Sequence, residues 1–257
     1  MPELPDLEVF AKNLDNHLSG KKLKKINIKN KSKLKSSTKE IKSAIEGSTL
    51  KKIFRDGKEL RFRFSNSNVL GLHMMLRGRL NYFTNKNEFK YTILELIFAD
   101  GTGLALTDFQ RNARVILNPE PSKVPDALSK KLNSKYLTDA LNRNAAIKNV
   151  LLDQDVIRGI GNAYADEILW KAKISPFSVS RQIPPARIKV LEKSIRQVLA
   201  WGEKEIRKAD PDIIGGEVRD FMKIHNPTKK KSPTGAAIKK KSGSRKTYYT
   251  NEQVLYK

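Results

Sequence analysis

The hydrophobic period of this chain changes once, at a proline-rich stretch, Asn118-Pro-Glu-Pro-Ser-Lys-Val-Pro125. Before it, short segments alternate apolar and polar residues at 60–64, 69–73, 79–83, 91–98 and 104–107. Side chains of a strand alternate between its two faces, so this is the pattern of half-buried strands, and Asp100-Gly-Thr-Gly103 supplies a hairpin turn. After it, apolar residues recur at three- and four-residue spacing over 138–152, 163–172 and 185–208, the mark of amphipathic helices. Pro184-Pro185 opens the last of these and Asp210-Pro211 closes it. A chain with strands on one side of a linker and helices on the other reads as multi-domain α+β. The divisions expected are 1–118, a linker at 119–128, a helical domain at 129–214 and a separate tail at 215–257.

The two ends add detail. Leu7, Phe10, Ala11, Leu14 and Leu18 give a leading helix an apolar stripe, with Pro5 suited to its first turn. The run Lys21–Lys35 holds eight lysines and no acid, with Leu23, Ile26 and Ile28 marking a strand that has a solvated edge. Between Phe221 and Glu252 there are nine Lys or Arg and no acid. Thr247-Tyr248-Tyr249-Thr250 has strand chemistry, so a basic hairpin is expected there.

Charge bounds the function. With 51 basic and 27 acidic residues the net charge is +24, which points to a polyanionic partner. No apolar run approaches the roughly 20 residues that span a bilayer, and nothing reads as a signal peptide. There is no cysteine, which excludes disulfides and thiolate metal sites. A soluble, cytoplasmic nucleic-acid-binding protein is the expectation.

Several short segments could carry chemistry. If Met1 is removed, Pro2 becomes an N-terminal secondary amine with the Glu3 carboxylate beside it. An α-amino group titrates near pH 8, so it can be nucleophilic near neutrality, with Glu3 placed to manage protons. The same residues also make an ordinary helix start, and both readings stand together. Arg158-Gly-Ile-Gly-Asn162 precedes a helix; its glycines admit close approach of a phosphate, and Asn162 could cap the helix or donate to that phosphate. Gly57-Lys58 marks a turn. Leu76 and Arg77 lie on a turn after an apolar strand, where an apolar tip could enter a base stack. Asp108-Phe-Gln-Arg-Asn-Ala-Arg114 offers Arg111 and Arg114 for phosphate contact.

Taken in order, Pro2-Glu-Leu-Pro5, Gly57-Lys58, His73–Gly78, Asp108–Arg114 and above all 151–169 closely resemble the formamidopyrimidine-DNA glycosylase/endonuclease VIII family. The resemblance implies an N-terminal β-sandwich with its leading helix, a helix–two-turn–helix domain, and a C-terminal hairpin finger, with DNA in the cleft between the domains. It implies a bifunctional glycosylase and abasic-site lyase that acts on damaged double-stranded DNA as a monomer without a cofactor. Catalysis would fall to Pro2, Glu3 and Lys58, and phosphate binding to Asn162, Arg245, Arg111 and Lys148. Leu76, Gln110 and Asn112 would fill the void left by a flipped base, with Asp6 and Glu167 as accessory acids. The rival is a non-catalytic nucleic-acid-binding protein, since helix–two-turn–helix elements occur in such proteins too; the Pro2-Glu3 pair is what a binder would not need.

The chain departs from the family at telling places. Asp6 stands where the family has Glu, and Leu76, Gln110 and Asn112 replace the Met, Arg and Phe of the formamidopyrimidine branch; Arg111 still matches. Only two residues separate Phe221 from Ile224, where the 8-oxoguanine-specific branch has a longer loop over the flipped base. The four zinc-cysteine positions are Lys231, Thr234, Thr250 and Gln253. A finger without metal follows, because ammonium, hydroxyl and amide groups cannot replace thiolates around zinc. Strand pairing and packing of Ile238, Tyr248, Tyr249, Val254 and Leu255 are expected to hold it.

Overall fold

The structure is a computed structural model that describes residues 1–31 and 34–257; Ser32 and Lys33 of the lysine-rich run lie outside the described residues. The chain forms two compact units, 1–121 with 206–217, and 122–205 with 218–257.

The first unit begins with helix α1 (Leu4–Leu18), whose Leu7, Phe10, Leu14 and Leu18 are fully buried. Eight strands follow: β1 (Leu23–Ile28), β2 (Leu50–Asp56), β3 (Glu59–Phe64), β4 (Val69–His73), β5 (Arg79–Thr84), β6 (Thr92–Phe98), β7 (Thr102–Thr107) and β8 (Arg114–Leu117). They make two four-stranded sheets of order β1-β6-β7-β5 and β2-β3-β4-β8, antiparallel at every pairing. Alternation works as expected: Leu60, Phe62 and Phe64 of β3 point into the core, while Arg61 and Arg63 do not. A short helix α2 (Thr38–Ile45) lies between β1 and β2. Ser37 and Glu40 close it with a reciprocal capping box.

The second unit carries α3 (Ser134–Leu141), α4 (Ile147–Leu152), α5 (Asn162–Lys171) and most of α6 (Pro185–Ala209). The helix expected over 138–152 is in fact two, because residues 142–146 leave helical conformation and Ala146 is extended at φ −61°, ψ 133°. The finger is a two-stranded hairpin of β9 (Lys239–Lys241) and β10 (Thr247–Tyr249). Its packing differs from expectation. Tyr248 is buried, but Val254 and Leu255 are 50% and 46% exposed. The terminal segment attaches by backbone instead: Val254 N–H donates to Lys173 O, and Val254 O accepts from Ser175 N–H.

Candidate DNA-repair site

In the first unit, Pro2 and Glu3 are buried at the start of α1. Glu3 is the N-cap; its N–H donates to Asp6 Oδ2 at 2.8 Å, and its side chain accepts from the Asp6 backbone. Asp6 is fully buried. Its carboxylate therefore fixes the first turn, and the accessory-acid role expected for it becomes a positioning role. The Met1 amine pairs with Glu217.

Lys58 sits at the tip of the β2–β3 hairpin, a two-residue turn that needs the left-handed conformation of Gly57, φ +61°. Arg55 ties this hairpin to α1: its Nε donates to Glu8 Oε2 at 2.7 Å, and its Nη1 to Gly57 O at 3.1 Å. The same small region of the unit thus holds the start of α1 and Lys58. His73 belongs to this group as well. Burial, then the charges of Arg114 and Lys58, push its pKa down to about 4. The imidazole is neutral, and its Nδ1 accepts from Met75 N–H at 3.0 Å, so the ring proton is on Nε2. Sequence reasoning did not single out His73; its chain neighbours are apolar, and the charges that act on it, Arg114 and Lys58, are brought there by the fold.

Two tight loops stand beside each other. In 74–78, Met75 takes φ +51° and Gly78 N–H closes the turn on Met74 O at 2.8 Å. A Cβ on Gly78 would strike the Met74 carbonyl, so this turn requires glycine. Leu76 is left 56% exposed at the tip. In the second loop the buried Asp108 carboxylate accepts N–H groups from Gln110 (3.0 Å), Asn112 (2.7 Å) and Ala113 (2.8 Å). This leaves Phe109 57% exposed, with Gln110, Arg111 and Asn112 exposed beside it. Arg77 lies over the Phe109 ring, 6.0 Å from its centroid. Phe109 was not among the expected void-filling residues, although it is as prominent as Leu76.

In the second unit, Gln154 shapes the turn before α5, donating to Leu152 O and Ile160 O and accepting from Gly159 N–H, each at 3.0 Å. Gly161 is the N-cap, so Asn162 does not cap the helix as the sequence suggested. Asn162 is the first helical residue, and its Nδ2 donates to Lys246 O at 3.0 Å. From there α5 runs beside the segment 246–252, which contains β10. Asp166 Oδ2 accepts from Tyr248 N–H at 2.9 Å, and Trp170 Nε1 donates to Glu252 Oε2 at 3.2 Å. The first step, from 162 to 166, sets four helical residues, a rise of about 6 Å, against two strand residues, about 6.6 Å; the second, from 166 to 170, faces the turn that carries the chain from Tyr248 to Glu252.

This seam brings Asn162 beside Lys246, the chain neighbour of the exposed Arg245. A cavity of about 190 Å³ between Asn149, Phe177, Lys241, Ser244 and Arg245 opens there. Lys148 is a correction. It is 5% exposed, with Nζ 2.7 Å from Asp166 Oδ1, 2.9 Å from Thr247 Oγ1 and 3.2 Å from Lys246 O. An ammonium used this way holds the hairpin and is not presented to a phosphate. Glu167 is a second correction. It is buried, its Oε1 accepts N–H from Ile224 (2.8 Å) and His225 (2.9 Å), and burial raises its pKa. It clamps the 219–226 connection.

The sequence matches the model of the formamidopyrimidine-DNA glycosylase N-terminal domain over residues 1–115 and that of the formamidopyrimidine-DNA glycosylase H2TH domain over 124–208. The chain belongs to the formamidopyrimidine-DNA glycosylase family. It is thereby a DNA glycosylase of base excision repair. The formamidopyrimidine-DNA glycosylase of Lactobacillus gasseri is 30% identical over the whole of both chains. That of Ligilactobacillus salivarius is 32% identical over 78% of this chain and 76% of its own. Among solved structures, a Lactococcus lactis Fpg variant in complex with Fapy-dG-containing DNA superposes with a TM-score of 0.84 at 25% identity. The wild-type L. lactis enzyme in complex with oxidised-pyrimidine DNA gives 0.85 at 25%. Each covers 97% of this chain and 98% of its own.

Proposed function

We propose that this glycosylase removes oxidised pyrimidines and ring-opened purines through a covalent intermediate on Pro2, then cleaves the strand by β,δ-elimination. The observation that carries the reading is the buried Pro2-Glu3 start of α1, tied through Arg55 to the hairpin that presents Lys58. Once Met1 is off, the Pro2 nitrogen attacks C1′ of the damaged nucleoside and the base departs with the electrons of the glycosidic bond. The nitrogen lone pair then opens the sugar ring to an iminium while Glu3 supplies a proton to the ring oxygen. Loss of a proton from C2′ expels the 3′-phosphate, and a second elimination expels the 5′-phosphate. While Met1 is attached, the Pro2 nitrogen is an amide and none of this can start.

Leu76 and Phe109, exposed on tight loops with Gln110 and Asn112 alongside, suit occupation of the space left by an extruded base. Arg111, Asn162 and Arg245 suit phosphate contact. The lesion preference rests on the 219–226 connection. It is pinned by Glu167, by the edge-on contact of Phe221 with Trp201 at 5.2 Å, and by Lys223 over the Trp201 ring at 4.6 Å. Met222 and Ile224 are fully buried. So short and anchored a connection has little chain to fold over a flipped purine, and base extrusion costs a few kcal/mol that contacts must offset. Matched duplexes carrying thymine glycol, a formamidopyrimidine or 8-oxoguanine test this under single-turnover conditions. The first two are released faster; fastest release of 8-oxoguanine refutes the preference.

A further inference from the structure

Glu252 is the sole acid after Phe221 in a strongly basic segment. Five side chains near the base of the finger donate to it. Lys173 Nζ and Thr234 Oγ1 reach Oε1 at 2.8 Å each. Thr250 Oγ1 reaches Oε2 at 3.0 Å, Trp170 Nε1 at 3.2 Å and Ser232 Oγ at 3.4 Å. These donors come from three separate pieces of chain: the end of α5, the turn 232–235, and the turn 250–253. Gln253 reinforces the last, accepting from Thr250 N–H and donating to Ile174 O, both at 2.8 Å.

We propose that Glu252 is the positioning residue of the finger, an anionic centre that gathers both turns and the end of α5 and so holds Arg245 in place. Charge-assisted hydrogen bonds are about twice as strong as neutral ones, which lets one carboxylate join three segments without a metal. The polarity is opposite to that of a zinc site: an anion surrounded by donors replaces a cation surrounded by anions. Lys173 first, then Thr234, hold the carboxyl at about 2, so it stays ionised through the working pH range. The link to Arg245 runs along the segment 245–252, since Glu252 fixes the turn that follows β10, Asp166 the middle of the strand, and Asn162 the Lys246 carbonyl next to Arg245. The inference rests on the reading above, in which Arg245 contacts DNA.

The test is a double-mutant cycle of Glu252→Gln and Arg245→Ala, in the full chain, on a duplex carrying a tetrahydrofuran abasic-site analogue. Glu252→Gln weakens binding about tenfold, as expected for lost hydrogen bonds to a charge. It leaves the lyase rate at saturating DNA within about twofold, and costs less than about twofold when Arg245 is already alanine. Glu252→Asp, which keeps the charge, recovers part of the affinity. Full additivity of the two changes, or unchanged binding in Glu252→Gln, overturns the proposal. Should Glu252→Gln fail to fold, the paired Thr234→Val and Thr250→Val variant removes two donors and is put through the same cycle. Amide exchange separates this proposal from the reading beneath it. Faster exchange at Thr250 and Val254 in Glu252→Gln supports the anchoring whatever the DNA does, and unchanged exchange refutes it. An Arg245→Ala variant that binds normally refutes the Arg245 reading alone.

Discussion

Asp166→Ala removes the charge around which the second unit's polar core is built. The Asp166 carboxylate is 1% exposed, lies 2.7 Å from Lys148 Nζ and 2.7 Å from His225 Nδ1, and accepts Tyr248 N–H. At Oδ1 the contact with Lys148 is an ion pair and not an aligned hydrogen bond. Deleting one partner of a buried pair leaves the other charge uncompensated, at a cost of about 3–5 kcal/mol. Loss of the Tyr248 acceptor adds about 1 kcal/mol or more. We therefore expect about 4–6 kcal/mol, out of a total of roughly 5–15 kcal/mol for a domain. In temperature this is about 15 °C. Both tryptophans, Trp170 and Trp201, belong to this unit, so tryptophan fluorescence during urea unfolding follows it selectively. Asp166→Asn, which keeps an acceptor for Tyr248, loses less. The pair Asp166→Leu with Lys148→Met recovers most of the loss, because no charge is then stranded. A loss under about 1 kcal/mol in Asp166→Ala, or no recovery in the pair, refutes the reasoning.

His73 gives a pH signature. Its folded pKa of about 4 lies below the ordinary value of 6.5, so the unfolded chain takes the proton first. That contribution is intact above pH 6.5 and is lost as pH falls towards 4, amounting to about 2 kcal/mol between pH 7.5 and 5. Amide exchange in β4 reads it; His73→Gln shallows the pH dependence, and an identical profile in the variant contradicts the assignment. The finger is held by a carboxylate and by backbone pairing, so overnight dialysis against a chelator leaves abasic-site cleavage unchanged. A loss that zinc restores contradicts this.

Much of the first unit was legible because its physics is local. Alternation placed β3 to β7, and Pro5 with the leucine stripe placed α1. Strand β2 was missed because Lys51 and Lys52 mask the apolar Leu50 and Ile53. Helix α2 was missed although Ser37-Thr-Lys-Glu40 spells a capping box. The single helix read over 138–152 failed because apolar spacing carries across a break that Asn142 and the residues after it impose. At the site, Pro2, Glu3 and Lys58 were named from the sequence, and the structure gathers their elements. Lys148 and Glu167 were misjudged for one reason. A charged side chain near a binding motif reads as exposed, and only the fold reveals a buried partner 18 or 57 residues away. The same holds for Glu252, whose donors come from residues 170 to 250.

The central claim is the covalent role of residue 2. Borohydride trapping on a duplex with an abasic site, followed by proteolysis and mass spectrometry, tests it directly. The account predicts that the mature protein begins at Pro2, that the reduced sugar is carried on the peptide spanning 2–12, and that Pro2→Gly traps far less. A trapped adduct on Lys58, or trapping undiminished while Met1 remains attached, would contradict it.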